Sequence, residues 1–287
     1  MRKYIILFIL LLTATICFSQ NYTEQDKAIF EKYKSQFQEK KEHDFNELVT
    51  QTALFFLGTP YTAHTLEIEP EALTVNLSQL DCTTFVETVL ALSQTIKAGD
   101  PTFQKFMTQL QTVRYRTGTI EDYTSRIHYT SEWIAQNEKR KIVKNITREN
   151  GGKEIYFTLN IISSNPERYK QLKNNEALIQ KIRESEIKAS AHQNYYISKT
   201  EIEARGAELN ANCTGFKNGD IVAFVTTVKG LDISHIGFIY REQDRLTFIH
   251  ASSSEKRVVV EKLTLEQYAL RSKSNKGIMV ARPLFSH

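Results

Sequence analysis

The sequence predicts an α+β domain, with helices dominating its first half and an antiparallel sheet its second. Three observations carry that prediction. Up to about residue 113, apolar side chains recur three and four positions apart, the period of a helix face. From residue 220 onward they come in short runs broken by turn residues, as strands do. The composition is 41% apolar and 24% charged over 287 residues, with only 11 Gly and 5 Pro. Those values suit one large globular core and exclude a fibrous or disordered chain.

The elements follow in order. Phe30, Tyr33 and Phe37 share one helix face; Phe45, Leu48, Thr52 and Phe55 share a second. Gly58 followed by Thr59-Pro60 stops that helix. Phe85, Val89, Leu92 and Ile96, flanked by Val86 and Leu90, predict a buried helix over residues 84–96. Further helices are expected over 101–113, 129–141 and 166–189. Ile155, Phe157, Leu159 and Ile161 alternate as a half-buried strand does. Strands then follow over 220–225, 235–240, 245–250 and 258–261, with Asp244 between two of them, and predict an antiparallel meander. A helix over 263–271 and a strand over 277–281 complete the chain. No internal repeat interrupts it.

The N-terminus reads as an export signal. Arg2 and Lys3 precede an apolar run and then Cys17-Phe18-Ser19-Gln20, with cleavage expected near Ser19. The run is short for a membrane span; an N-terminal anchor helix is the competing reading. Bulky Ile16 argues against lipid attachment at Cys17. The protein is therefore expected to be secreted, periplasmic or extracellular, with no stable membrane span after cleavage. Residues 20–43 are expected as an N-terminal helical extension and 44–287 as the main domain, a monomer. A net charge of +4 is too small to argue for a nucleic-acid partner.

Signal removal leaves two cysteines. Cys82 stands in Leu80-Asp81-Cys82-Thr83-Thr84-Phe85, at the start of the buried helix. The helix dipole and free amides there favour the thiolate, the nucleophilic form. The same amides can hold an oxyanion. The alternative is a structural cysteine. His235, in Ser234-His235-Ile236-Gly237, opens a strand, where an imidazole can take a thiol proton and later protonate a leaving amine. A hydrogen-bonded core histidine is the alternative there. His250 ends the next strand and can orient His235. Zinc ligation by Cys82, His235 and His250 is a further reading, although no short-spaced ligand pair supports it. A disulfide from Cys82 to Cys213 would end the enzyme reading and leave the histidine motifs unexplained.

Taken in order, five segments resemble the motifs of the NlpC-type, papain-like cysteine peptidases of peptidoglycan. They are Gly58-Thr59-Pro60-Tyr61, Asp81-Cys82-Thr83-Thr84-Phe85, Asn218-Gly219-Asp220-Ile221-Val222-Ala223-Phe224, His235-Ile236-Gly237-Phe238-Ile239 and Phe248-Ile249-His250-Ala251-Ser252. Thr65-Leu66-Glu67, Leu80-Asp81-Cys82-Thr83-Thr84-Phe85-Val86-Glu87 and Arg126-Ile127-His128-Tyr129-Thr130-Ser131-Glu132-Trp133-Ile134 resemble a narrower branch, the secreted N-acetylmuramoyl-L-alanine amidase-like proteins. That likeness spans about residues 45–283. It implies a papain-like core, with the cysteine on a helix packed against an antiparallel sheet that carries the histidines. It implies Cys82 as nucleophile, His235 as general base, His250 as orienting residue and the Tyr61 hydroxyl near the oxyanion. It implies a thiol mechanism without metal or other cofactor, on peptidoglycan or its muropeptide fragments, at the amide between N-acetylmuramic acid and L-alanine. The competing functions are an endopeptidase cutting between D-glutamate and the diamino acid, and a non-catalytic wall-binding protein.

Two departures bear on specificity. The interval from Cys82 to His235 is long, so a large, mainly helical insertion is expected over about residues 100–217. A Tyr-x-Trp-Gly-Gly run is replaced by Tyr61-Thr62-Ala63-His64. Arg114, Tyr115, Arg116, Arg126, His128, Tyr129 and Trp133 cluster in the insertion as candidate substrate-binding residues. Aromatic faces and guanidinium forks suit sugars and carboxylates. The alternative is a solvated basic helix and loop with one core tryptophan.

Overall fold

The computed structural model describes residues 21–206, 208 and 215–285. The expected signal segment and Cys213 lie outside the described residues. Helix α1 (Glu24–Phe37) starts at a capping box between Thr23 and Asp26, and α2 (Phe45–Phe55) starts where Asp44 accepts the Asn46 and Glu47 amides. Phe30, Tyr33 and Phe37 are buried, and the Tyr33 hydroxyl lies 2.9 Å from that of Thr52 on α2. The helical extension therefore packs on the main core rather than standing apart from it.

Helix α3 (Cys82–Lys97) is buried along nearly its whole length. After it come α4 (Phe103–Arg114), α5 (Thr130–Lys139), β1 (Val143–Asn145), β2 (Lys153–Ile155), α6 (Glu176–Ser190), β3 (Asn194–Ser198) and α7 (Lys199–Ala204). Then follow β4 (Ile221–Thr226), β5 (Ile233–Glu242), β6 (Arg245–Ser252), β7 (Arg257–Val260), α8 (Leu265–Arg271) and β8 (Asn275–Pro283). The eight strands form one antiparallel sheet in the order β2-β3-β8-β4-β5-β6-β7, with β1 also pairing β8. Strands β4 to β7 are the expected meander. Strand β8 returns to lie between β3 and β4.

The inserted region departs from the helical expectation. It contributes β1, β2 and β3 to the sheet. The alternating run from Ile155 pairs as a strand only through Ile155. Beyond it Phe157 and Leu159 are buried, but the Leu159 amide donates to Ser190 Oγ at 2.9 Å. Alternation reports burial; ladder pairing also needs a neighbouring strand. The helix expected from residue 166 begins only at Glu176, where Asn175 accepts the Leu178 amide.

Period-two alternation splits the sheet between two apolar layers. Ile221, Ala223, Val225, Ile236, Phe238 and Ile249 pack with α2 and α3, and Val222, Phe224, Ile239 and Phe248 pack with α7 and α8. Phe85 on α3 meets Phe238 on β5 edge to face, with ring centroids 5.6 Å apart. Among the described residues, no helix is long and apolar enough to cross a membrane. Because Phe238 holds α3 to β5, Phe238→Ala is expected to cost about 3–5 kcal/mol in urea unfolding. A loss below about 1 kcal/mol would show that this contact does not anchor the helix.

Candidate active site

Cys82 is the first residue of α3 and a free thiol. Asp81 and Thr84 close a capping box around it, at 2.8 Å from the Thr84 amide to Asp81 Oδ1 and 2.9 Å from the Asp81 amide to Thr84 Oγ1. The Cys82 amide takes no part in that box. The Thr83 hydroxyl and the Ile236 and Thr83 amides lie near the sulfur and favour its charged form. Ile236 directly follows His235, so the thiol lies at the rim of β5. Residues 60–62 run alongside. The Leu80 amide donates to Pro60 O at 3.0 Å and the Thr62 amide to Leu80 O at 3.2 Å. Tyr61 is thereby held against Cys82, and burial and the thiolate charge both raise its pKa.

His235 takes its direction from strand alternation, since Ile236 and Phe238 face the α3 layer, and a bulge follows on its N-terminal side. Phe224 lies across from His235, but Val225 lies across from Ile233, so Ser234 is an extra residue in β5. Ile233 and Ile236 therefore both join the α3 layer. The His235 ring turns to the other side, with its centroid 6.2 Å from those of Phe224 and Tyr268. His235 Nε2 lies 2.6 Å from His250 Nδ1. The pairing of Phe238 with Ile249 sets Gly237 opposite His250. A Cβ on Gly237 would come within 2.6 Å of Ile249 O and 3.0 Å of His250 Cβ. The glycine of the motif thus makes room for the β6 backbone and the base of the His250 side chain. His250 is 2% exposed, and its Nε2 faces Glu261 Oε2 at 3.4 Å.

Burial governs the charges here. It pushes the Cys82 thiol up to about 11, and the Asp81 carboxylate adds to the rise. Burial, then repulsion from His250, pushes His235 down to about 3, and burial pushes His250 down to about 4. At neutral pH the resting site is an uncharged thiol beside an uncharged imidazole. The lowered thiol pKa expected at a helix start is corrected by this burial. Among the described residues no hydrogen bond joins Cys82 to His235, and no group of three or more His, Cys, Asp and Glu side chains could hold a metal ion.

The seven candidate binding residues separate. Arg114 is 2% exposed and its Nε donates to Glu87 on α3 at 2.7 Å. Tyr115 is buried with its hydroxyl 2.9 Å from Glu71, and buried Arg126 pairs with Glu67 at 2.9 Å and Glu71 at 3.2 Å. Arg116 forks onto Glu132. These cations are engaged inside the fold, because burying them requires carboxylate partners. His128, Tyr129 and Trp133 instead line a small recess whose wall includes Thr83 and Ile236, next to the thiol. Burial and Arg126 hold the His128 pKa well below its usual range. On the other side of His235 a cleft of about 350 Å³ is lined by Ser234, Ser254, Glu261, Tyr268 and Arg271.

Sequence reasoning missed Glu261, Tyr268 and Asp232. Asp232 is buried and accepts the Ser131 and Ile233 amides, each at 2.7 Å, tying the first turn of α5 to the start of β5. Its cap-forming type was visible, but its helix lies far away in sequence.

Two outcomes follow from this geometry. Thiolate forms only as pH rises through a raised pKa, so iodoacetamide alkylation of Cys82, followed by peptide mass mapping, is expected to be slow at neutral pH and to climb toward about 11. A midpoint below about 8.5 would contradict it. Arg114→Ala strands the Glu87 carboxylate and is expected to cost about 3–5 kcal/mol of stability. A raised KM at full stability would instead return Arg114 to substrate binding.

The pattern of the N-acetylmuramoyl-L-alanine amidase-like family matches residues 51–278. The chain is 34% identical to an N-acetylmuramoyl-L-alanine amidase from Bacteroides uniformis ATCC 8492, with a TM-score of 0.77 over 84% of this chain and 99% of that one. A Bacteroides fragilis protein, provisionally called a xylanase, is 37% identical, with a TM-score of 0.74 over 81% and 99%. A Legionella pneumophila protein at 22% identity shares the fold, with a TM-score of 0.63 over 90% and 97%. No curated protein matches the sequence. By sequence match and by fold, the chain belongs to the N-acetylmuramoyl-L-alanine amidase-like family.

Proposed function

We propose that this protein is an exported cysteine hydrolase of peptidoglycan or its fragments, with a papain-like site, that cleaves the amide between N-acetylmuramic acid and L-alanine. The contact that carries this reading is His235 Nε2 to His250 Nδ1 at 2.6 Å, one residue from Ile236, whose amide favours the Cys82 thiolate. Family membership and the Bacteroides uniformis amidase support the substrate class.

The thiol proton passes to His235 as the sulfur attacks the carbonyl carbon of the lactyl group. Neutral partners at rest make this general-base attack rather than attack by a standing thiolate. The carbonyl oxygen takes the developing charge, facing the Cys82 amide and the Tyr61 hydroxyl. His235 then gives its proton to the leaving L-alanine nitrogen, and the C–N bond breaks to leave a thioester on Cys82. Water, deprotonated by His235, attacks the thioester. The free lactyl carboxylate leaves and the thiol is restored. His128, Tyr129 and Trp133 bound one side of the bond, and the cleft beside Tyr268 and Arg271 bounds the other. A glycosidase needs two carboxyl groups flanking its bond. Among the described residues, the cleft beside His235 is lined by Glu261 alone of the carboxylates.

Mass spectrometry of digested muropeptides tests the reading. Free stem peptides beginning with L-alanine are expected from the wild type, and Cys82→Ala should lower their formation on the order of 10⁴-fold or more. Shortened stems still attached to muramic acid would move the assignment to the endopeptidase. Activity that survives Cys82→Ala but not a chelator would replace the thiol mechanism with a metal one.

A further inference from the structure

We propose that Glu261 is a positioning residue which, acting through His250, sets the tautomer of His235 so that His235 Nδ1 carries the lone pair available to the thiol. This rests on the catalytic reading of Cys82 and His235 and adds a fourth group to it.

The argument is a count of protons along a buried row of atoms. His250 Nε2 is buried and has no partner at ordinary hydrogen-bond geometry; it faces Glu261 Oε2 at 3.4 Å. A carboxylate can only accept. A lone pair on Nε2 would therefore face negative charge, whereas an N–H there meets an acceptor. His250 accordingly carries its proton on Nε2, and its Nδ1 is left as an acceptor. The 2.6 Å contact between His250 Nδ1 and His235 Nε2 needs one proton between two nitrogens. Only His235 can supply it. Neutral His235 has a single N–H, so its Nδ1 holds the lone pair. The opposite tautomer row would put a proton on His235 Nδ1 and leave no base for the thiol.

Glu261 is itself held for this role. Its Oε1 accepts the Leu263 amide at 3.0 Å, and its own amide donates to Phe248 O at 2.9 Å. Those two bonds turn Oε2 toward His250. Its side chain is 16% exposed, on the wall of the cleft beside His235. During attack the thiol proton goes to His235 Nδ1 and stays there. His235 Nε2–H remains donated to His250, His250 Nε2–H remains facing Glu261, and no proton reaches the carboxylate. The fixed negative charge favours the transient imidazolium, just as it works against the lowering of the His235 pKa by burial. The other ionisable groups around the row are Cys82, Asp81 and Tyr61 at the α3 end and Tyr268 and Arg271 on α8.

Imidazole ¹⁵N NMR of the full chain carrying Cys82→Ala reads the tautomers without needing turnover. Both His235 and His250 are expected protonated at Nε2. Adding Glu261→Leu should move His250 toward Nδ1–H, whereas Glu261→Gln, whose amide oxygen still accepts, should hold Nε2–H. In the active protein, Glu261→Leu should lower kcat about ten- to a hundredfold with KM unchanged, and Glu261→Gln, which keeps the acceptor but not the charge, should recover part of it. His250 protonated at Nδ1 beside native Glu261, or tautomers unmoved by Glu261→Leu, overturns the proposal. If the leucine variant does not fold, the measurement on the Glu261 protein alone decides. An absence of muropeptide hydrolysis would overturn the amidase reading and leave this tautomer result standing.

Discussion

Because Phe238 pairs with Ile249 across β5 and β6, Gly237 stands opposite His250, and its missing side chain leaves room for the β6 backbone and the base of the His250 side chain. Alternation from Phe238 puts His235 on the same side, where the two rings meet. Phe85 rests on Phe238, the next residue along β5, so the helix that carries Cys82 is docked on the strand that carries His235. One strand register thus places all three side chains. A slip of one residue would move every side chain of β5 to the opposite layer.

Burial then decides how those groups are charged. A helix start favours a thiolate by about 0.3–1 kcal/mol. Raising the Cys82 pKa from 9.0 to about 11 corresponds to about 3 kcal/mol in the other sense. The Asp81 carboxylate, present because the helix needs an N-cap, reinforces the rise. The dipole therefore loses at rest. In the proposed mechanism it regains importance when negative charge develops on the substrate oxygen beside the same helix start.

The inserted region serves mainly to hold this arrangement. Arg114 on α4 pairs with Glu87 on α3, Arg126 draws Glu67 and Glu71 together, and Asp232 fastens α5 to the first residues of β5. Buried ion pairs add little net stability over apolar packing, but they punish a wrong arrangement by stranding a charge. Their value here is in fixing where α4, α5 and the preceding loop sit around α3. What remains of the candidate binding residues beside the thiol is the narrow wall formed by His128, Tyr129 and Trp133.

Much of this protein was legible in the residue pattern. Helix α3, the β4 to β7 meander, α8 and β8 were each predicted from period and punctuation, because local periodicity reports which face of an element is buried. The ordered motifs around Tyr61, Cys82, His235 and His250 also point to one chemistry in the sequence itself. The strands β1 and β3 were not foreseen, since short strands owe their existence to a neighbour rather than to their own sequence. The same holds at the site. That Arg114 and Arg126 lie inside, that the Cys82 thiol is pushed up rather than down, and that Glu261 stands behind His250 all depend on burial and on contacts between distant segments. The sequence by itself determined which residues could react. Only the tertiary structure decided their charge, their orientation and their partners, because desolvation and hydrogen bonding are properties of the space around a group and not of its place in the chain.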